Sequence, residues 1–199
     1  DWNAVAAIAY FRAFELFEDK TFFQKASQIV SFLAKERMDE NGGIFHSEKI
    51  KNSKLFLFKD CAWFAKANLQ AYQIRFAPEF LENAQKTAEY CLNHFWDPKN
   101  KGFWDKKSDS FDLGLLNFPL KSLPDNLLMA ECLLKLSFFK KNQAYHKTAM
   151  QTFRAFLATF EDQGLQGVLF GQTAVLLRDG LTETQLVGRI GNEAKAWQF

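Results

Sequence analysis

The stretch LFKDCAWFAK, residues 57–66, ends a long irregular segment and begins a helical pattern. Upstream, residues 4–17 are rich in Ala and lack Gly and Pro, which favours a helix. Only Arg12 and Glu15 are charged there, so we expect most of this helix to be buried. A second helix with one apolar face follows and ends before Asn41-Gly-Gly43. Residues 57–66 therefore mark where one helical hairpin ends and the next begins.

An internal repeat extends this pattern along the chain. An aromatic residue followed four positions later by Ala recurs, starting at Phe22, Phe80 and Tyr145. Repeats of this kind indicate stacked helical hairpins. We predict an all-α fold, with three hairpins plus one helix in residues 1–180 and a strand or helix extension in 181–199. The later helices are predicted at about Asp60–Phe76, Pro78 to before Asp97, Asp125–Phe139, Gln143–Glu161 and Val168–Arg178, with a short strand at Thr184–Ile190.

Composition excludes several classes of protein. The chain has 199 residues, a net charge of +2 and no long block of either charge, which argues against a nucleic-acid partner. No apolar run approaches the roughly 20 residues of a membrane span, so we expect no membrane partner. Three widely spaced cysteines predict buried free thiols in a reducing, cytoplasmic setting. Because the chain starts at Asp1 without Met, it is expected to be part of a longer protein.

Several motifs resemble those of one family. Asp1-Trp-Asn3 resembles a "DWNG" helix entry, and residues 58–64 are similar to a "LEDYAFL" segment. Pro124-Asp-Asn126 resembles a "PSGNS" segment, although Ala4, Cys61 and Asp125 depart from the family's usual residues. His94–Asp97 with Gly102-Phe103 resembles the family's "FWD…GGFF" helix exit, and Leu186–Gly188 resembles its "IVG" strand. The family is the thioredoxin-domain-containing, spermatogenesis-associated type.

This resemblance implies a fold and a partner. Members of the family carry an (α/α)6 toroid of the six-hairpin glycosidase class, which also resembles N-acylglucosamine 2-epimerases. The chain matches only the C-terminal half of such a ring, without the thioredoxin-like domain. A half-ring leaves apolar helix faces uncovered. We therefore expect either a homo-oligomer or a missing N-terminal half of the toroid.

Two aspartates are the candidate catalytic residues. Asp60 and Asp125 fall at the predicted starts of alternating helices, and glycoside hydrolysis needs two carboxylates about 5–9.5 Å apart. Neighbouring helices pack about 8–10 Å apart, so these aspartates could meet that requirement. The alternative is that each aspartate simply caps its helix.

Aromatic and amide side chains on the same rim are candidate substrate-binding residues. Tryptophan faces suit the apolar faces of sugar rings, which makes a carbohydrate the predicted ligand. The alternative is that these rings fill the core. The predicted set is Trp2, Asn3, Trp63, Trp104 and Asn126.

Histidines and glycines add little evidence for other chemistry. Of the three histidines, only His46 is expected to reach the rim, because His94 and His146 fall on the second helices of their hairpins. No two histidines have the spacing of metal ligands, so we predict no metal site. The sequence also lacks a glycine-rich phosphate loop, so we predict no cofactor.

Two kinds of function therefore remain open. The first is a carbohydrate-acting enzyme, similar to glycoside hydrolases or sugar epimerases, with a carboxylate site at the loop rim. The second is a non-catalytic binding or interaction module, or a C-terminal fragment of a larger thioredoxin-domain protein.

Overall fold

The helical pattern is confirmed in a computed structural model, which describes residues 1–47, 55–107, 118–159, 164 and 167–182. The described part contains seven α-helices and one 3₁₀ turn, Leu157–Thr159. The helices are α1 Trp2–Phe17, α2 Lys20–Glu36, α3 Phe58–Arg75, α4 Pro78–His94, α5 Leu123–Phe139, α6 Gln143–Ala155 and α7 Gly167–Asp179.

The helices pack as consecutive hairpins in two layers. The first helices of the hairpins form one series, in which α1 contacts α3, α3 contacts α5, and α5 contacts α7. Each second helix contacts its own first helix and also the first helix of the next hairpin, so that α2 contacts α3 and α4 contacts α5. The starts of α1, α3 and α5 therefore lie along one rim of the molecule.

The repeated alanine explains why the second helices pack in the same way. Ala26, Ala84 and Ala149 are all fully buried, each in the equivalent turn of α2, α4 or α6. A methyl group at this position lets two helices approach closely, whereas a larger side chain would hold them apart.

The links after α2 and α4 are also alike. Each has an isolated antiparallel bridge close to the preceding helix, Met38 to Ile44 in the first link and Trp96 to Phe103 in the second. Each turns through a glycine with positive φ, Gly42 at 99° and Gly102 at 77°. A Cβ on Gly42 would lie 2.6 Å from the carbonyl oxygen of Lys86, so this position needs glycine both for its φ and for the close approach of α4.

The expected burial of α1 is wrong. Its buried residues are only Ala4, Ala7 and Phe11, whereas α3 buries 12 residues. The difference arises because α3 lies between α1 and α5, while α1 has a neighbour in its series on one side alone among the described helices. An apolar stripe with helical spacing, including Trp2, Ala9 and Leu16, consequently faces solvent.

Several smaller predictions can also be compared with the structure. Cys61, Cys91 and Cys132 are buried free thiols, as expected. The sixth helix ends at Ala155 instead of continuing to Glu161, and the predicted strand at Thr184–Ile190 lies outside the described residues. In the described part of the chain, none of the helices is long and apolar enough to cross a membrane.

Candidate functional site

Asp60 and Asp125 occupy the same position in two neighbouring helices of one layer. Helix α3 has Leu57 as its N-cap and α5 has Ser122, so each aspartate is the third residue of its helix. Neither aspartate is therefore the N-cap that the sequence pattern indicated, because both helices begin two residues earlier. Asp1, by contrast, is the N-cap of α1, and its carboxylate accepts from the Trp2 amide at 2.7 Å.

The Asp60 carboxylate is buried and both of its oxygens are occupied. Its side chain is 2% exposed. The Oδ1 atom accepts a hydrogen bond from the backbone nitrogen of Asp1 at 2.6 Å, and Oδ2 lies 2.7 Å from Nδ1 of His46. A buried carboxylate with these partners holds the imidazole ring in one orientation and favours a proton on Nδ1. The other ring nitrogen, Nε2, is then the proton acceptor.

His46 and Asp60 line a cavity of about 310 Å³ at the starts of α1 and α3. This volume is at the small end of the range that is typical of ligand pockets. Its wall contains both apolar and polar side chains, and four segments contribute to it: α1, α2, the link after α2, and α3. The lining residues are Asp1, Asn3, Ala4, Leu33, Arg37, Ile44, Phe45, His46, Ser47, Asp60 and Phe64.

The link after α2 fixes the backbone that carries His46. The amide of His46 donates to the Leu55 carbonyl at 3.0 Å, and Phe45 forms a bridge with Phe56. The rings of Phe45 and Phe56 also pack with their centroids 4.8 Å apart. His46 is therefore held from both its backbone and its side chain, while 36% of the side chain stays exposed.

Asp125 is near the same rim, but it does not line this cavity. Burial raises the pKa of its carboxyl group above the usual value, and the nearby charges of Asp60 and Asp105 add to the rise. A hydrogen bond from Ser122 and the charge of Lys59 act in the opposite direction, but they are weaker. A carboxyl group with a raised pKa is suited to donating a proton.

The three tryptophans of the predicted binding set have different surroundings. Trp2 is 79% exposed and faces solvent on α1, and Trp63 is half-buried against the main core. Trp104 is half-buried, and the ammonium group of Lys121 lies 4.3 Å from the centre of its ring. One face of Trp104 is therefore already occupied by a cation.

Lys121 is held in place by Asp97, a buried residue of the link after α4. The ammonium group donates to Asp97 Oδ2 at 2.8 Å, and the amides of Lys99 and Asn100 donate to Oδ1. The hydrogen bond from Lys121 lowers the pKa of Asp97 well below its usual value, and the two amides add to the effect. This cluster fixes the link over the start of α5.

Asn126 and Asn3, the two predicted amide residues, lie in different places. Asn126 is fully buried. Its Oδ1 atom accepts from the Phe103 amide at 2.6 Å, and its Nδ2 atom donates to the carbonyl oxygens of Phe103, at 3.0 Å, and of Ser122. These bonds dock the link after α4 onto α5, which is a structural role. Asn3 is exposed and lines the cavity beside Asp60.

The structure thus brings together Asn3 and Asp60 of the predicted set and adds two residues that were not predicted to bind substrate, Arg37 and His46. The sequence did indicate that His46 could reach the rim. Its position just after a double-glycine turn was the available signal for its role. Arg37 gave no such signal, because it directly follows an ordinary amphipathic helix.

The architecture is similar to that of several solved carbohydrate-active proteins. A family 76 glycoside hydrolase (mannosidase) from Bacteroides thetaiotaomicron matches with a TM-score of 0.70 and 14% identity, over 88% of this chain and 53% of that chain. Cellobiose 2-epimerase from Bacillus thermoamylovorans matches with a TM-score of 0.64 and 13% identity, over 77% of this chain and 42% of that chain.

A third similar structure contains a bound sugar. It is an inactive α-1,6-mannanase variant from Salegentibacter sp. in complex with α-1,6-mannotetrose, with a TM-score of 0.66 and 19% identity, over 78% of this chain and 46% of that chain. No protein-family model and no curated protein sequence matches the chain. The chain spans about half or less of these similar structures. Its helices have the fold of part of an (α/α)6 toroid of the six-hairpin glycosidase type.

Proposed function

We propose that this chain is part of a carbohydrate-acting enzyme in which His46, oriented by Asp60, transfers a proton to or from a saccharide. The observation that carries the proposal is the 2.7 Å contact between His46 Nδ1 and the buried Asp60 carboxylate on the wall of a cavity. An imidazole paired with a buried carboxylate is a common arrangement for general acid–base catalysis. In this proposal Asp60 positions the imidazole, and His46 is the residue that touches the substrate.

The chemistry that best fits a single imidazole base is proton transfer beside a carbonyl group, as in a sugar epimerase or isomerase. His46 Nε2 removes the proton from the carbon next to the carbonyl of an open-chain sugar, and the electron pair of that C–H bond forms an enediolate. The enediolate then turns its other face towards the His46 imidazolium, which returns the proton to that face and so inverts the carbon. The Asp60 carboxylate stabilises the imidazolium that forms in between. Similarity to a cellobiose 2-epimerase supports this choice at the level of fold.

Glycoside hydrolysis is the second candidate, and one observation favours it. The raised pKa of Asp125 and its electrostatic interaction with Asp60 fit a pair in which one carboxyl group stays protonated as the acid. In the similar mannanase, the inactive variant replaces two consecutive aspartates. The 199 residues here contain no two consecutive aspartates. For hydrolysis, the pair that we propose within this chain is Asp60 with Asp125.

Completion of the ring belongs to the same proposal. The solvent-facing apolar stripe of α1 suits packing against further toroid helices, supplied by a second copy of this chain or by a preceding half-ring. Membership of the thioredoxin-domain-containing family and a cytoplasmic location also remain proposals. They rest on the sequence motifs and on the three free thiols.

Incubation with reducing sugars in D₂O tests the proposal and separates the two chemistries. Proton transfer incorporates deuterium at the carbon next to the carbonyl, whereas hydrolysis of α-1,6-linked mannose oligosaccharides creates new reducing ends. We expect deuterium incorporation into cellobiose or a related aldose. His46→Gln should abolish it, and His94→Gln, at an exposed position on α4, should not.

Other outcomes contradict the proposal in part or in full. New reducing ends without deuterium incorporation would favour the Asp60 and Asp125 pair. Sugar binding without either product would favour the non-catalytic binding module. Equal activity of the wild type and His46→Gln would remove His46 from the mechanism.

A further inference from the structure

A second cavity lies apart from the rim site, with which it shares no lining residue. Its volume is about 810 Å³, and it is lined by residues of α1, α3, α5 and α7. The polar residues of its wall come mainly from the middle and end of α3 and from α5. They are Arg12, Lys66, Gln73, Glu131, Lys135, Gln172 and Asp179.

Two lysines in this wall share a single carboxylate oxygen. Lys66 on α3 forms an ion pair with Glu131 Oε1, and Lys135 on α5 lies 3.0 Å from the same atom. The lysine side chains are only 15% and 12% exposed, and Glu131 is 24% exposed. Two largely buried cations therefore share one partly exposed anion, which leaves one positive charge without compensation inside the cluster of Lys66, Glu131 and Lys135.

Among the residues that the structure describes, the other charged side chains of the wall do not balance this charge. Asp179 pairs through both oxygens with Arg178, at 2.6 and 2.8 Å, and Arg12 pairs with Glu15 at 2.7 Å. Burying an uncompensated charge is costly, and a bound counter-charge offsets that cost. The cavity therefore favours an anion over a neutral or cationic ligand.

Hydrogen-bond donors dominate the same wall. The side-chain carbonyl of Gln73 accepts from Lys135 at 3.0 Å, so its remaining group is the amide donor. Ammonium and amide donors together match the oxygen atoms of a carboxylate or phosphate group. The volume of the cavity leaves room for a small molecule attached to that group.

We propose that the cavity between α3, α5 and α7 binds a small molecule through an oxyanion group, held by Lys66 and Lys135. The proposal is independent of the rim site, since none of its residues lines the cavity of His46 and Asp60. Glu131 keeps the two ammonium groups in position and limits the affinity for the anion.

Calorimetric titration with inorganic phosphate, glucuronate and neutral glucose tests this at constant ionic strength, with chloride as the balancing anion. We expect phosphate or glucuronate to bind, and glucose not to bind. Binding of phosphate alone assigns a phosphoryl group, and binding of glucuronate alone assigns a carboxylate. Loss of one charge-assisted contact in Lys135→Met should weaken binding roughly tenfold or more. The matched control Lys147→Met, at an exposed position on α6, should leave it unchanged.

A second variant gives an effect of opposite sign. Glu131→Gln removes the carboxylate that Lys66 and Lys135 share and should tighten anion binding, whereas a purely structural network predicts no gain in affinity. The proposal is overturned if neither anion binds above the chloride control, if Lys135→Met binds as well as the wild type, or if Glu131→Gln binds no more tightly. Turnover at the rim site does not enter any of these readouts.

Discussion

Replacing Asp60 by asparagine should reverse the tautomer of His46. The carboxylate accepts from the Asp1 nitrogen at 2.6 Å and from His46 Nδ1 at 2.7 Å. Asparagine has one acceptor and one donor group, so it can satisfy only one of these donors. If its oxygen faces Asp1, its amide faces Nδ1, which must then become the acceptor. The proton moves to Nε2, and the base that faces the cavity is lost.

The magnitude follows from the burial of this contact. Loss of one charge-assisted hydrogen bond costs about 1.5–3 kcal/mol of unfolding free energy. For a chain of this size each kcal/mol changes the melting temperature by about 2–4 °C, so we expect Asp60→Asn to melt about 3–12 °C lower. General acid–base catalysis contributes about 10²–10⁴-fold, and the turnover of the variant should fall by a factor in this range.

Three measurements on Asp60→Asn separate catalysis from folding: the melting temperature, the turnover, and the ring ¹⁵N shifts of His46, which report the tautomer. The matched control is Asp97→Asn, which also removes a buried, ion-paired carboxylate but lies outside the cavity. It should lose stability and keep both turnover and the His46 tautomer. An unchanged tautomer in Asp60→Asn, or an equal loss of turnover in Asp97→Asn, would refute the positioning role of Asp60.

Further predictions concern the backbone, the pH dependence of stability and the rim. Gly42→Ala should destabilise the protein by about 1–3 kcal/mol in urea unfolding, because Gly42 has φ of 99° and no space for a Cβ. Gly171 lies within α7 and has open space for a Cβ, so Gly171→Ala should instead stabilise the protein by about 0.5–1 kcal/mol. A change of the same sign in the unfolding free energy of both variants would contradict this reasoning. The pKa of Asp97 is lowered in the folded state, so its ionised carboxylate stabilises the fold above the unfolded pKa, and this contribution is lost as the pH falls below about 4. The difference in melting temperature between the wild type and Asp97→Asn should therefore shrink on acidification. The pKa of Asp125 is raised in the folded state, so ionisation of this group opposes folding at neutral pH. Asp125→Asn should therefore melt no lower than the wild type at pH 7, and any gain in melting temperature should disappear below about pH 4. Asn126→Ala leaves the buried Phe103 backbone groups without partners and should cost about 1–3 kcal/mol, with no change in sugar affinity beyond that expected from unfolding.

The helical repeat could be predicted from sequence because it depends on local spacing. The positions of Ala26, Ala84 and Ala149 required only a count along the chain, and all three are buried as that spacing indicates. The starts of α3 and α5 were misplaced because Leu57 and Ser122 form no side-chain cap bond, so the aspartates three residues later gave the stronger signal. The burial of α1 was overestimated because its apolar sequence does not show which neighbours are present.

The rim site could be predicted only in part. Asp60 and Asn3 were placed at helix starts by pattern, and both line the cavity. The contact between His46 and Asp60 joins the link after α2 to α3, and the position of His46 depends on a positive-φ glycine, a Phe45–Phe56 bridge and the packing of α4. Non-local geometry of this kind has no periodic signature. The structural role of Asn126 was missed for the same reason, because its partner Phe103 lies 23 residues away.

The most direct test of the central claim is a histidine NMR titration with sugar. The chain has three histidines, so the Hε1 signal of His46 can be assigned with one variant, His46→Gln, and His94 and His146 serve as internal controls. Added cellobiose or α-1,6-mannotetrose should shift the His46 signal with saturable dependence on concentration and leave the other two in place. An unshifted His46 signal with every sugar, or equal shifts of all three histidines, would contradict a saccharide site at His46 and Asp60.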